Sequence, residues 1–213
     1  MKNILVITPH PDDLELGCSG TLMKFKDQGA NIDSIITIKP SVEINANRNK
    51  EIVHRELIRA IDTLNINCKL YNTPLLDNGR PHLTCDNNTI TQIESMLELT
   101  HYDLIITTDP GDYHQDHRNT FSIANSICRN NIASELWTMQ ISPYSHRNTM
   151  FTPNVFVDIS DYMDRKIKAI KCYESYISDK ILDVYKGLAT YNSNTIKDAT
   201  YVEAFDQKFR NIQ

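Results

Sequence analysis

Apolar residues along this chain fall into short, nearly unbroken blocks, separated by longer stretches in which they recur at helical spacing. Residues 3–8 (Asn-Ile-Leu-Val-Ile-Thr) form one such block, the pattern of a strand buried on both faces of a parallel sheet. Residues 32–38 and 103–108 repeat it, and 68–72, 134–140 and 154–159 read as further strands. Between them, 50–64 carries Ile52, Leu57, Ile61 and Leu64 among charges, a helical pattern. Helices are also expected over 19–28, stopped by Gly29, and over 89–99, 118–130 and 161–176. Residues 9–18 read as a loop, and the tail after Asp179 reads as mostly helical. Strands alternating with helices predict an α/β fold, a three-layer sandwich around a mostly parallel, Rossmann-like sheet. No Gly- or Pro-rich linker or repeat divides the chain, so residues 1–213 are expected to form a single domain.

Composition changes this picture little but narrows the function. The chain is 40% hydrophobic and 23% charged, ordinary for a globular protein, with a formal net charge of -5. An acidic chain gains little from a phosphate backbone, so nucleic acid is not the expected partner. Five scattered cysteines without a C-x-x-C pair argue against a disulfide framework and against a cysteine zinc site. The apolar run at the start is too short for a signal-peptide core, and no stretch approaches the ~20 apolar residues of a membrane span. A cytoplasmic protein is the expectation.

Candidate chemistry lies directly after two of the expected strands, where ligands sit in open α/β sheets. After the first strand comes His10-Pro11-Asp12-Asp13. Pro11 biases His10 toward an extended backbone. His10 and Asp13 are close enough in a loop to chelate one ion, while a neighbouring carboxylate stays free as a base. After the strand at 103–108 comes Asp112-Tyr113-His114-Gln115-Asp116-His117, with three or four more potential ligands or acid–base groups. A thiolate-free His/Asp set around an open site suits catalytic Zn2+, and also Fe2+, Mn2+ or Co2+. The bland alternative is capping: Asp12 or Asp13 could serve only as a helix N-cap, and the second cluster could be a capped, solvated loop. His54 and His101 read as structural, whereas His82 and His146 are loop candidates for substrate contact.

These two segments resemble the signatures of the PIG-L/LmbE-like zinc N-deacetylases. The first is His-Pro-Asp-Asp with its following turn, here Ile7 to Thr21. The second is His-x-Asp-His, here His114 to His117. Weaker echoes are Leu76-Asp77-Asn78-Gly79, Phe156-Val157-Asp158-Ile159 with Lys166 to Lys171, and Tyr201-Val202-Glu203-Ala204-Phe205. The chain departs from the family pattern at Lys39-Pro40-Ser41, where a Thr-Asp-Gly loop is common, at Val53, where an Arg is common, and at Ser19.

The resemblance implies a role for each matching residue. His10, Asp13 and His117 would hold the metal. Asp12 would take a proton from activated water, and a protonated His114 would stabilise the oxyanion. Asp12 or His114 would protonate the departing amine, and Asp116 would hydrogen-bond His114. The substrate implied is a small N-acetylated amino sugar or its conjugate, and the resemblance is compatible with a homo-oligomer. Substrate-contacting segments are expected at 39–48, 77–82 and 142–148. Competing readings are a metal-dependent phosphoesterase, whose sites often hold two metals, and a non-catalytic zinc- or sugar-binding protein with a closed site.

Overall fold

The computed structural model describes residues 1–40, 49–76, 79–142 and 150–211. Seven strands form one sheet: β1 (Asn3–Thr8), β2 (Asn31–Ile36), β3 (Asn67–Leu70), β4 (Tyr102–Thr108), β5 (Ala133–Met139), β6 (Val155–Asp158) and β7 (Val202–Arg210). Their order is β3-β2-β1-β4-β5-β7-β6. The five strands from β3 to β5 are parallel, and β7 runs antiparallel to both of its neighbours.

Seven helices connect them among the described residues: α1 (Asp13–Gly17), α2 (Ser19–Asp27), α3 (Lys50–Leu64), α4 (Asn87–Glu94), α5 (Gln115–Ile127), α6 (Met163–Ile170) and α7 (Asp179–Ser193). The unbroken apolar strands are explained by burial on two faces. From β1, Ile4 and Val6 enter one apolar cluster with Leu22, Met23, Ile167, Ile170 and Leu182 of α2, α6 and α7. Leu5 and Ile7 enter another with Ile90, Ile93, Ile123 and Ile127 of α4 and α5. A third cluster joins Leu57, Ala60 and Ile61 of α3 to Ile36 and Tyr173. Caps set the helix starts: the Asn49 side chain accepts from the N–H groups of Glu51 and Ile52, and Asp86 accepts from that of Thr89.

Two expectations need correction. Within the expected loop at 9–18, residues Asp13–Gly17 form a short helix, α1. The tail is not mostly helical: after α7 it turns back as β7, a nine-residue strand inserted between β5 and β6. The alternation of β7 is masked by the charges of Glu203, Asp206, Lys208 and Arg210, which give it the look of a polar surface segment.

Where the order reverses, β1 and β4 lie side by side, pairing Ile4 with Leu104 and Ile7 with Thr107. The connection from β1 leads toward one side of the sheet and that from β4 toward the other, which opens a crevice at their carboxyl ends. Because β4 is buried on both faces, truncating it should be costly. Ile105→Ala, at a fully buried position, should lower stability by ~2–5 kcal/mol in urea unfolding. Ile58→Ala, on the exposed side of α3, should stay within ~0.5 kcal/mol of the parent.

Candidate metal centre and active site

The first site loop leaves β1 while still paired. The N–H groups of Thr37 and Ile38 donate to the carbonyls of Thr8 and Pro9, so His10 follows directly on a fixed backbone. Asp12 then takes φ +94°, in the left-handed region that a residue with a side chain seldom adopts. It occupies the N-cap position of α1, yet its side chain makes no capping hydrogen bond. The capping reading therefore fails for Asp12, which instead lines the cavity over the site. Asp13 is buried, and its Oδ2 accepts the His10 N–H at 2.9 Å.

The second loop is a folded turn. Asp109 Oδ1 accepts from the Gly111 N–H at 2.8 Å, and the Asp109 carbonyl accepts from the Asp112 N–H at 3.2 Å. Asp112 Oδ1 in turn accepts from the His114 N–H at 2.7 Å. His114 is the N-cap of α5, with Nδ1 accepting from the Asp116 N–H. Thr108 Oγ1 donates to the His117 carbonyl and pins the first turn of α5 to the end of β4.

The two loops meet. Ligand atoms of His10, Asp13 and His117 all lie within 4.8 Å of one another. Asp13 Oδ2 is 3.3 Å from His10 Nδ1 and 3.6 Å from His117 Nε2. The far nitrogen of each imidazole is engaged by another carboxylate: His10 Nε2 lies 3.1 Å from Asp116 Oδ2, and His117 Nδ1 lies 2.7 Å from Asp112 Oδ2. This carboxylate–imidazole arrangement orients a metal-binding histidine and raises its basicity.

Asp116 accordingly faces His10, while its Oδ2 stands 3.8 Å from Nδ1 of His114, the partner anticipated from the sequence. The anchoring role of Asp112 had no signal in the linear pattern beyond its place in the acidic loop. A second set, His10, His114 and Asp116, also lies within 4.8 Å, but it shares His10 with the first. The rings of His114 and His117 sit 5.0 Å apart, and those of His10 and His114 4.9 Å apart.

The charges explain why such a cluster suits a cation. Asp12, Asp13 and Glu15 are packed within four residues, with Asp13 and Glu15 buried. Burial and the neighbouring Asp13 push the Asp12 carboxyl well above its usual range, and burial pushes Glu15 up to about 7. Burial opposes a charge on His10, but hydrogen bonds to Asp116 and Asp13 outweigh it and raise its pKa to about 10. Burial also works against ionisation of Asp13, yet His117 and His10 hold its carboxyl below the usual range. Burial and the adjacent His10 and His117 depress His114. With Nδ1 accepting from the Asp116 N–H, the His114 Nε2 is the nitrogen left to carry a hydrogen. Two imidazoles and one carboxylate, each imidazole backed by a second carboxylate, fit a divalent cation of the zinc type.

A cavity of ≈ 730 Å³ opens over the cluster, lined also by Lys39, Val53, Arg80, Tyr176 and Tyr185. A second, of ≈ 550 Å³, is lined by Phe151, Phe156, Tyr191 and Asn192, and its charged lining residues, Lys166 and Glu203, pair with each other. His101 is tied to the Asn131 carbonyl and the Ser134 hydroxyl, a structural role. His54 is exposed on α3. His82 does not line the cavity over the cluster. His146, together with 41–48, 77–78 and 143–149, falls outside the described residues.

Comparison with known proteins places this chain in a family. The diacetylchitobiose deacetylase of Thermococcus kodakarensis is 23% identical over 205 residues, covering 87% of this chain and 74% of the relative. The N,N'-diacetylchitobiose deacetylase structure from Pyrococcus horikoshii superposes with TM-score 0.73 at 22% identity, over 97% of this chain and 83% of that one. A 4-carboxy-2-hydroxymuconate hydratase, GalB from Pseudomonas putida KT2440, superposes with TM-score 0.79 at 15% identity, over 100% of this chain and 98% of that one. At such identities the superpositions establish a shared fold, and that fold carries more than one chemistry. Residues 5–128, more than half of the 213, match the family described as PIG-L, GlcNAc-PI de-N-acetylase, and the chain belongs to that family.

Proposed function

We propose that the protein is a metal-dependent amide hydrolase that removes the N-acetyl group from a small N-acetylated amino sugar or its conjugate. One observation carries this reading: His10, Asp13 and His117 converge beside an Asp12 whose carboxylate makes no capping bond, at the floor of a cavity large enough for a sugar. The family match and the deacetylase relatives support it. The GalB superposition does not favour a hydratase reading, because at 15% identity it speaks for the fold alone. We take residues 1–213 as one catalytic domain and place it in the cytoplasm. Five unpaired cysteines suit that compartment, and no described helix is long and apolar enough to cross a membrane.

In this reading His10 Nδ1, an Asp13 oxygen and His117 Nε2 hold Zn2+, with Fe2+, Mn2+ or Co2+ as alternatives. The cation, when bound, supplies Lewis acidity, which polarises the amide carbonyl and makes water a better acid. Asp12 accepts the proton of the attacking water. Its elevated affinity for protons suits a base that must later act as an acid. His114 donates from Nε2 to the carbonyl oxygen as negative charge develops there, a preorganised donor. Asp12 then delivers its proton to the nitrogen as the C–N bond breaks, so acetic acid and a neutral amine form, and the acid passes its remaining proton to the amine or to water to leave as acetate. Asp112 and Asp116 hold the two imidazoles.

Purified protein with zinc should release acetate from N-acetylhexosamine compounds, and chelation should abolish release. Asp12→Ala should lower kcat by ~10²-fold or more while zinc binding in calorimetry persists. Near-parental turnover would remove Asp12 from the role of base. Asp112→Asn should weaken zinc binding ~10–100-fold in chelator competition, by loosening His117. Unchanged affinity would detach Asp112 from the metal site. Metal analysis should find one ion per chain. Two ions, one at each overlapping His/Asp set, would favour the phosphoesterase reading.

A further inference from the structure

We propose that β7 positions both halves of the site from behind, with Glu203 setting the His10–Asp13 loop and Lys208 setting the Asp112–His117 loop. This rests on the hydrolase reading above. Neither residue lines the cavity over the histidines, and β7 lies outside residues 5–128. Lys208 nevertheless ends a chain of short contacts that starts at His117, and Glu203 grips, through Lys166, the short helix that begins at Asp13.

Lys208 reaches the second loop because of an irregularity in the sheet. Pairing between β5 and β7 steps from Leu136 with Phe209 to Trp137 with Gln207, so Lys208 is skipped. A residue left out of register escapes the strict alternation of a strand, and its side chain can be re-aimed. Lys208 Nζ lies 3.1 Å from Asp109 Oδ2 and 2.6 Å from Asp206 Oδ2. Asp109 is buried, and the same Oδ2 accepts from Thr138 Oγ1 at 2.8 Å. Its Oδ1 and its carbonyl then fold the turn through Gly111 and Asp112. Asp112 fixes His117 at 2.7 Å. A buried carboxylate at the root of this turn needs a cation nearby, and Lys208 supplies it.

Glu203 acts on the first loop. It is buried, and its two oxygens accept from the N–H groups of Gly20 at 3.0 Å and Thr21 at 2.7 Å. These are unsatisfied donors in the first turn of α2. Buried Lys166 completes the clamp: its Nζ donates to Glu203 Oε1 at 2.6 Å and to the Leu16 carbonyl at 2.7 Å. Leu16 lies in α1, a helix of five residues that begins at Asp13. So short a helix cannot sustain itself in isolation, and its orientation depends on what grips its ends. The approach is close: a Cβ at Gly20 would fall 3.0 Å from Glu203 Oε1 and 2.8 Å from Ile159 Cδ1. Buried ion pairs are weak contributors to net stability, which leaves placement as the more natural use of this one.

The test compares Lys208→Met with Gln207→Ala, a change on the same strand that leads to Glu135 and not to the site. In metal-free protein labelled with 15N-histidine, Lys208→Met should shift the His117 Nδ1 resonance, and Gln207→Ala should not. Zinc affinity should fall ~10-fold, with kcat reduced more than KM is raised, and Lys208→Arg should restore both. Glu203→Gln should weaken zinc binding similarly through Asp13. Should Lys208→Met not fold, Thr138→Val removes another donor to Asp109 and is read the same way. A parental His117 resonance in Lys208→Met or Thr138→Val would overturn the proposal, as would parental zinc affinity in Glu203→Gln, whatever happens to the melting temperature. If the parent protein releases no acetate, the hydrolase reading fails. The His117 comparison still decides the positioning role, because it needs neither metal nor substrate.

Discussion

The pairing of β1 with β4 is the constraint on which the site depends. These strands are far apart in sequence, and each runs straight into a loop rich in His and Asp. Their hydrogen-bonded register brings Ile7 opposite Thr107, so both loops start at the same level of the sheet. Once that register is set, His10 and Asp13 can reach only what the β4 loop presents. What it presents is His117, with Nε2 3.6 Å from Asp13 Oδ2. The strands are buried on both faces, which makes the register hard to shift: a slip by one residue would exchange the Ile4/Val6 face with the Leu5/Ile7 face.

On that scaffold the electrostatics follow one logic. Carboxylates are buried in numbers that a protein normally avoids, and most of those around the site have an evident partner. Asp112 and Asp116 each take one nitrogen of an imidazole, leaving the other nitrogen to face Asp13. Asp12 is held at positive φ with no capping duty. Asp109 and Glu203 are neutralised by Lys208 and Lys166. In the proposed reading the acids divide into those that grip the cation, those that orient its imidazoles and those that support the turns, with Asp12 as the proton-exchanging group.

Much of this was legible in the sequence, and the reasons for the remainder are local. The strands at 3–8 and 103–108 announce themselves because burial on both faces permits no polar interruption. The His-Pro-Asp-Asp and His-x-Asp-His segments stand out because so many ligand-type residues rarely gather at strand ends by chance. The α1 helix was hidden because Pro11 and paired Asp residues read as loop, and the side chain that grips its Leu16 carbonyl, Lys166, is 150 residues away. The β7 strand was hidden because several of its charges point at distant partners and blur the alternation of a strand. The family resemblance paired Asp116 with His114, whose Nδ1 stands 3.8 Å from Asp116 Oδ2. The turn that begins at Asp109 also brings Asp116 within 3.1 Å of His10 Nε2, a contact that linear spacing cannot reveal.

The central claim is that one cation is gripped across two loops with a coordination position left open. Anomalous diffraction at the zinc edge, from crystals of the zinc-loaded protein, tests it most directly. The account predicts a single peak ~2.0–2.2 Å from His10 Nδ1, an Asp13 oxygen and His117 Nε2, with Asp12 outside bonding distance. Zinc bound by His10, His114 and Asp116 instead, or closed off by a fourth protein ligand, would contradict it.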